Sequence, residues 1–191
     1  LALRYGFEAV NLKSRCSCKN QPKFTTRHAL ACNTGNVLTL RHDELRDFIG
    51  SICAILGLKT AKNPTIRHST FDKQDQNVLA GDLMIEGLFS AFDVVSLDFR
   101  VHDTDSTSSA KDTLKALESQ EKEKINKYGA AASVQGQQFI PFVVTAAEGI
   151  VGPGAAKVLN QLAEKLADKW GKSKASVRSW LHSRIAFAII R

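Results

Sequence analysis

The sequence predicts an α/β fold, a mixed β-sheet of about four strands flanked by helices, with a small cysteine–histidine knuckle ahead of it. Three observations predict this. Within GDLMIEGLFSAFDVVSLDFRV, two runs at about 80–88 and 92–102 are rich in Leu, Ile, Val and Phe, and have strand length. QFIPFVVTAAEGI is a continuous apolar run of the kind a buried strand requires. The segments 40–57, 109–130, 155–171 and 174–191 instead repeat their apolar residues at helical spacing. The order is knuckle, helix, short strand, strand pair, helix, strand, helix, helix, divided as 1–38 for the knuckle segment and 39–191 for the α/β domain.

Residues 1–15 show no clear period. CSCKNQPKFTTRHALAC follows, with Cys16, Cys18, His28 and Cys32. Three thiolates and an imidazole in so short a span are a tetrahedral zinc set, and His28 and Cys32 stand one helical turn apart. Unliganded thiols beside a core histidine are the alternative. The chain shows no secretory leader, so disulfides are the weaker use of these cysteines. Cys53, among Ile52, Ile55 and Leu56, is expected to be a buried, inert thiol.

In LRHDELRDFIGSICAILG, Leu45, Phe48, Ile49, Ile52, Ile55 and Leu56 mark a helix stopped by Gly57. Arg41, His42, Asp43 and Glu44 are expected in its first turn. There the acids suit the helix dipole, whereas the basic pair does not and suggests a phosphate or active-site role. Residues 59–79 are polar and broken by Pro64, with TIRHSTF as a short strand. HDTDSTSSAKD reads as a loop. SAKDTLKALESQEKEKINKYG is a helix ending at Gly129, with solvated i,i+4 pairs Glu118–Lys122 and Glu123–Lys127. Val158, Leu162 and Leu166 form the inner face of the next helix. Val177, Leu181, Ile185 and Ala188 form that of the last, leaving Arg178, Arg184 and Arg191 outside.

The net charge of +7 is uneven. Residues 1–60 carry nine Lys/Arg against four Asp/Glu, residues 61–153 nine against thirteen, and residues 154–191 eight against two. Basic flanks around an acidic middle suit a protein that grips a polyanion and holds cations at its centre, although solvated helix faces produce the same totals. No apolar run is long enough for a transmembrane helix. The chain starts without Met and reads as the C-terminal part of a longer protein.

Asp82 opens the first acidic strand and Asp98 sits near the end of the second. A buried carboxylate costs several kcal/mol unless it is paired or holds a metal. Phosphodiester cleavage needs a hard cation, an activated water and a positive group on the developing charge. Asp82 and Asp98 could ligate Mg²⁺ or Mn²⁺, with the Phe99 carbonyl as a third oxygen. Arg100 shares the face of Asp98 because strand side chains alternate. Strand-start packing for Asp82 and an ion pair for Asp98 are the structural alternatives. Glu86 and Asp93 are lesser candidates, expected to face solvent.

An acid, about fifteen residues, then Asp-x-basic resembles the PD-(D/E)XK restriction-like nucleases, whose core has the same element order. The upstream Cys-Cys-His-Cys knuckle, the triplet Arg41-His42-Asp43 and the helix ending Lys124-x-x-Lys127-Tyr128 narrow the resemblance. They are similar to the endonuclease domain at the C-terminus of site-specific LINE-type (non-LTR) retrotransposon proteins, across nearly the whole chain.

The resemblance implies a Mg²⁺- or Mn²⁺-dependent DNA endonuclease with structural zinc, an upstream reverse transcriptase in the same polypeptide, and a nuclear location. Target DNA and the element's RNA are its implied partners, with no membrane. Catalysis falls to Asp82, Asp98, Arg100, Lys124 and Tyr128, and nucleic-acid binding to Arg41, His42, Lys122 and Lys127. Two departures stand out. Gly81 occupies the usual Pro position, and Arg100 stands where many of these enzymes have Lys. Arginine stays protonated and only stabilises charge, so Lys124 is expected to fill the lysine role, with Lys122 and Lys127 as competitors. Tyr128 is either a site-facing phenol or a helix-end anchor. A decayed nuclease that binds nucleic acid without cutting, and a protein-interaction domain with incidental zinc, are the other readings.

Overall fold

The computed structural model describes residues 13–18, 23, 28, 32, 34, 36–66, 79–102, 110–146 and 149–190. Helix α1 (Val37–Leu56) leads to the edge strand β1 (Lys59–Lys62). A short pair follows, β2 (Thr65–Ile66) with β3 (Leu79–Ala80). Then come β4 (Leu83–Glu86), β5 (Val94–His102), helix α2 (Ala110–Val134), β6 (Gln138–Thr145), α3 (Pro153–Trp170) and α4 (Lys174–Ile190). The main sheet has the order β1-β4-β5-β6, antiparallel across the first two junctions and parallel between β5 and β6. This is the mixed four-stranded α/β architecture that the sequence predicts.

Alternation along the central strands assigns the layers. Val95, Leu97 and Phe99 of β5, with Ile140, Phe142 and Val144 of β6, belong to the main core. Leu45, Ile49 and Ile52 of α1, Val158, Leu162 and Leu166 of α3, and Val177, Leu181 and Ile185 of α4 close that core. Each fully buried aliphatic side chain there contributes about 1.5–3 kcal/mol before the entropy of ordering it. The opposite face carries the buried polar residues Ser96, Asp98 and Thr145, and α2 covers it. On that side Phe139 packs on Ala131 and Ala132.

Several expectations need correction. Helix α1 begins at Val37, after Asn36 in a left-handed conformation, and its first turn holds no acid. Arg41, His42, Asp43 and Glu44 therefore lie beyond that turn, where the dipole account no longer applies. Helix α2 runs through Gly129 to Val134, because Tyr128, Ala131 and Ala132 continue its buried stripe. Glu123 turns to Arg100 of β5, with 3.8 Å between charges, instead of to Lys127. Strand β1 is unforeseen in the sequence, since KTAK at an exposed edge has no apolar alternation. Of TIRHSTF, only Thr65–Ile66 is a described strand. The rest of that segment, Arg191, the segment 1–12 and most of the Ser/Thr-rich loop fall outside the described residues.

Two junctions position the acids. Asp82 lies just before β4, held by its own backbone: Asp82 N–H donates to Leu97 O at 2.8 Å and Asn63 N–H to Asp82 O at 3.0 Å. A Cβ at Gly81 would lie 2.5 Å from Ser96 Oγ, so this close crossing leaves no room for a larger residue such as proline without a shift. At the other end, α3 starts with Gly152 as N-cap and Pro153 in its first position. The Gly154 N–H donates to Glu121 Oε1 at 2.9 Å and lies 3.1 Å from Oε2. Glu121 thus caps α3 from α2.

Candidate functional site

Where β4 begins beside the middle of β5, α1, the segment before β4, β5 and α2 each deliver a charged side chain. Asp82 Oδ2 accepts the Phe99 N–H of β5 at 2.6 Å, which sets its carboxylate against the backbone next to Asp98. His42 of α1 reaches the same oxygen with Nε2, at 3.0 Å. Its Nδ1 lies 3.2 Å from Asp43 Oδ1. With a carboxylate on each nitrogen, the imidazolium is favoured. The His42 pKa is raised above the ordinary value, chiefly by the hydrogen bond to Asp82, against the opposing effect of burial.

Asp98 is only 4% exposed. Lys124, four-fifths buried along its side chain, brings Nζ to 2.6 Å from Asp98 Oδ1. Burial raises the Asp98 pKa, the Lys124 ammonium opposes that shift, and the nearby Asp82 charge adds to it. Two carboxylates and two bases from four separate segments therefore converge. The two acids have hard oxygen donors of the type that Mg²⁺ and Mn²⁺ prefer, and Asp82 Oδ1 has no partner among the described residues. The backbone of Phe99 enters this cluster through its N–H.

Other predicted residues are placed differently. Arg100 faces α2 beside Asp98 in register, but its charge contact is Glu123. Tyr128 is mid-helix and buried, with its ring 5.2 Å from that of Phe139. Lys124 and Lys127 place their Nζ atoms 5.6 and 4.9 Å from the Tyr128 ring centroid. That contact makes Tyr128 a packing platform for both lysines. Lys122 is exposed, whereas Arg41 is 4% exposed and lies inside the fold. Asp93 accepts from Phe89 N–H and Ser90 N–H in the turn before β5, and Glu86 is exposed. The edge of α1 adds a salt-bridge network in which Arg46 contacts Asp43 and Asp47, and Lys62 contacts Asp47.

A second cluster stands near the N-terminus. The ligand atoms of Cys16, Cys18, His28 and Cys32 all lie within 4.8 Å of one another. Cys16 Sγ and Cys32 Sγ are 3.8 Å apart, and Cys18 Sγ is 3.5 Å from His28 Nε2. This geometry could hold a metal ion such as zinc. Cys53 is apart from it, fully buried in the core, with its thiol pKa pushed up to about 12 by burial, as an inert side chain requires.

No family model matches this chain, and comparison with curated proteins finds no match. Among the described residues, no helix is long and apolar enough to cross a membrane.

Sequence reasoning missed Glu121. It resembles one more charge in ESQEKEK, yet it is 7% exposed. The signal lay in the spacing, since Thr113, Leu117, Glu121, Lys124 and Tyr128 are separated by four, four, three and four residues. That is one helix face. On it, Glu121 and Lys124 are the charged positions.

Proposed function

We propose that this chain is a divalent-metal-dependent DNA endonuclease domain that nicks a target strand, within a retrotransposon-type protein carrying a reverse transcriptase upstream. The observation that carries this reading is the convergence of Asp82, Asp98, Lys124 and His42 where β4 begins beside β5. Asp82 and Asp98 would hold Mg²⁺ or Mn²⁺. When bound, that ion would polarise the phosphate and lower the pKa of an attacking water. Cation charge at the two carboxylates would take over the compensation that Lys124 and His42 now provide. The Lys124 ammonium, on a flexible stem with Tyr128 beside it, would then be available to the scissile phosphate. His42 would be available to donate a proton or hold a phosphate oxygen. Arg100, lying towards Glu123, would add positive potential at the rim. Cys16, Cys18, His28 and Cys32 would bind structural zinc. Nuclear target DNA and the element's RNA are the partners this reading implies.

A second reading has its own supporting observation. Each carboxylate of the pair already faces a base, as expected for a decayed site that binds nucleic acid without cutting. Nicking of supercoiled DNA in Mg²⁺ or Mn²⁺ separates the two. The wild-type chain is expected to nick, and Asp98→Ala to lose roughly a hundredfold or more of that rate. Equal nicking by both removes Asp98 from the reaction. Salt-sensitive binding with no nicking under either ion selects the second reading. Metal analysis is expected to find about one zinc per chain. The Cys16→Ser/Cys18→Ser double variant is expected to lose it, and unchanged zinc would exclude this cluster as the site.

A further inference from the structure

Both tryptophans of the chain meet where α3 turns into α4. Trp170 ends α3, Gly171 reverses the backbone at φ 62°, and Trp180 comes back along α4. Their ring centroids are 5.3 Å apart with the planes at 80°, so the rings form an angled corner. With Lys172, Ser176 and Val177 they line a surface cleft of about 550 Å³, within the usual range for ligand sites, roughly 300–1,000 Å³. Trp170 is 36% and Trp180 39% exposed. Phe48 of α1 supports Trp180 with a centroid distance of 6.2 Å. Lys169 donates to the Ile55 carbonyl and ties the end of α3 to α1. The corner is therefore held in place by three helices.

Its surroundings are basic. Residues 164–180 contain five Lys/Arg and two Asp/Glu, and one of the acids, Glu164, is matched by Lys174 at 2.6 Å. Lys172 lines the cleft with no acidic partner among the described residues. Exposed aromatic faces beside unmatched positive charge suit an unpaired base on a phosphate backbone, because stacking and phosphate attraction act together there. The same aromatic corner without the basic rim would fit an apolar peptide equally well.

We propose that the Trp170–Trp180 cleft binds an unpaired nucleobase of single-stranded nucleic acid, by stacking, with Lys172 on the adjoining phosphate and Ser176 hydrogen-bonding the base or sugar. This inference rests on the nucleic-acid reading above and extends it to a site the two-carboxylate cluster does not contain. Helix α1 joins the two places, since Phe48 lies six residues beyond His42, about 9 Å of helix rise.

Because the only two tryptophans line the cleft, tryptophan emission of the whole chain reports on it directly. Titration with a short oligo(dT) is expected to quench or shift that emission saturably, and more weakly as salt rises. Binding of a labelled oligo(dT), followed by anisotropy, is expected to weaken about fivefold or more in Trp180→Leu and to be largely kept in Trp180→Phe. Lys172→Glu is expected to weaken it as well, with circular dichroism confirming that each variant is folded. The Asp98→Ala chain should show the full emission change, so loss of nicking leaves this inference standing. An emission unmoved by oligo(dT) while plasmid is still nicked would overturn it. So would undiminished binding by folded Trp180→Leu, or a response to a proline-rich peptide and not to oligo(dT).

Discussion

Asp98 and Glu121 are two buried carboxylates on opposite sides of the same packing layer, one on β5 facing α2 and the other on α2 itself. They are 4% and 7% exposed, and burial is the first cause of a raised pKa at both. What answers the charge differs. Glu121 accepts from a backbone N–H at the start of α3, a fixed dipole that moves only if the helix moves. Asp98 faces the tip of a lysine on a flexible four-carbon stem. A fixed partner belongs to architecture, and a movable one leaves the acid usable for chemistry. The surroundings repeat the distinction. Gly152 and Gly154 leave the space that Glu121 fills, and side chains there would collide with it or with the Pro141 carbonyl. Asp98 instead has Asp82 and His42 close enough to shift its ionisation.

The comparison breaks if the two acids respond alike to substitution. Glu121→Ala removes the cap of α3 and leaves the part-buried Gly154 N–H without its acceptor, a loss of roughly 1–3 kcal/mol. Asp98→Asn removes a buried charge while Lys124, at 20% side-chain exposure, can extend its ammonium to water. Its stability cost is expected to be smaller, about 1 kcal/mol, because Asn keeps an acceptor oxygen for Lys124 and no longer buries a carboxylate charge. Urea unfolding of the two variants in a chelator measures both. A larger loss for Asp98→Asn than for Glu121→Ala would make Asp98 the structural residue of the two.

That contrast also explains what the sequence made legible. Asp82 and Asp98 are visible because one abuts and the other interrupts a run otherwise filled with Leu, Ile, Val and Phe, where a charge has no cheap reason to be. The cysteine–histidine cluster is visible because its four residues are close in sequence, and their donor atoms gather within 4.8 Å. Lys124 is expected only because Arg100 stands where the resembled nucleases have Lys, although its place on the stripe from Thr113 to Tyr128 carries the same information. Glu121 was hidden for the same reason, because a charged stretch suggests a solvated face before its periodicity is examined. Strand β1 gave no pattern at all, its edge position leaving three of four residues exposed. His42 was expected near the site, but its contact with Asp82 depends on how α1 docks on the sheet. No local signal encodes that docking.

Titration supplies the finest test of the contrast. The Glu121 pKa is raised by burial first, with the Gly154 N–H bond opposing and the Glu118 charge adding to the rise. A folded-state pKa above the unfolded value means that the folded protein holds the proton longer. The stability linked to that proton is fully present below the unfolded value, about pH 4. It is lost as pH rises through the folded value. Glu121→Gln keeps a carbonyl oxygen for the Gly154 N–H and has no charge to bury. The wild type is therefore expected to lose stability relative to Glu121→Gln as pH climbs from about 4 towards neutrality. Urea unfolding of both proteins across that range measures it. A stability gap that widens in favour of the wild type with rising pH would mean that the α3 dipole outweighs burial. Glu121 would then be an ionised cap, further still from Asp98 in character.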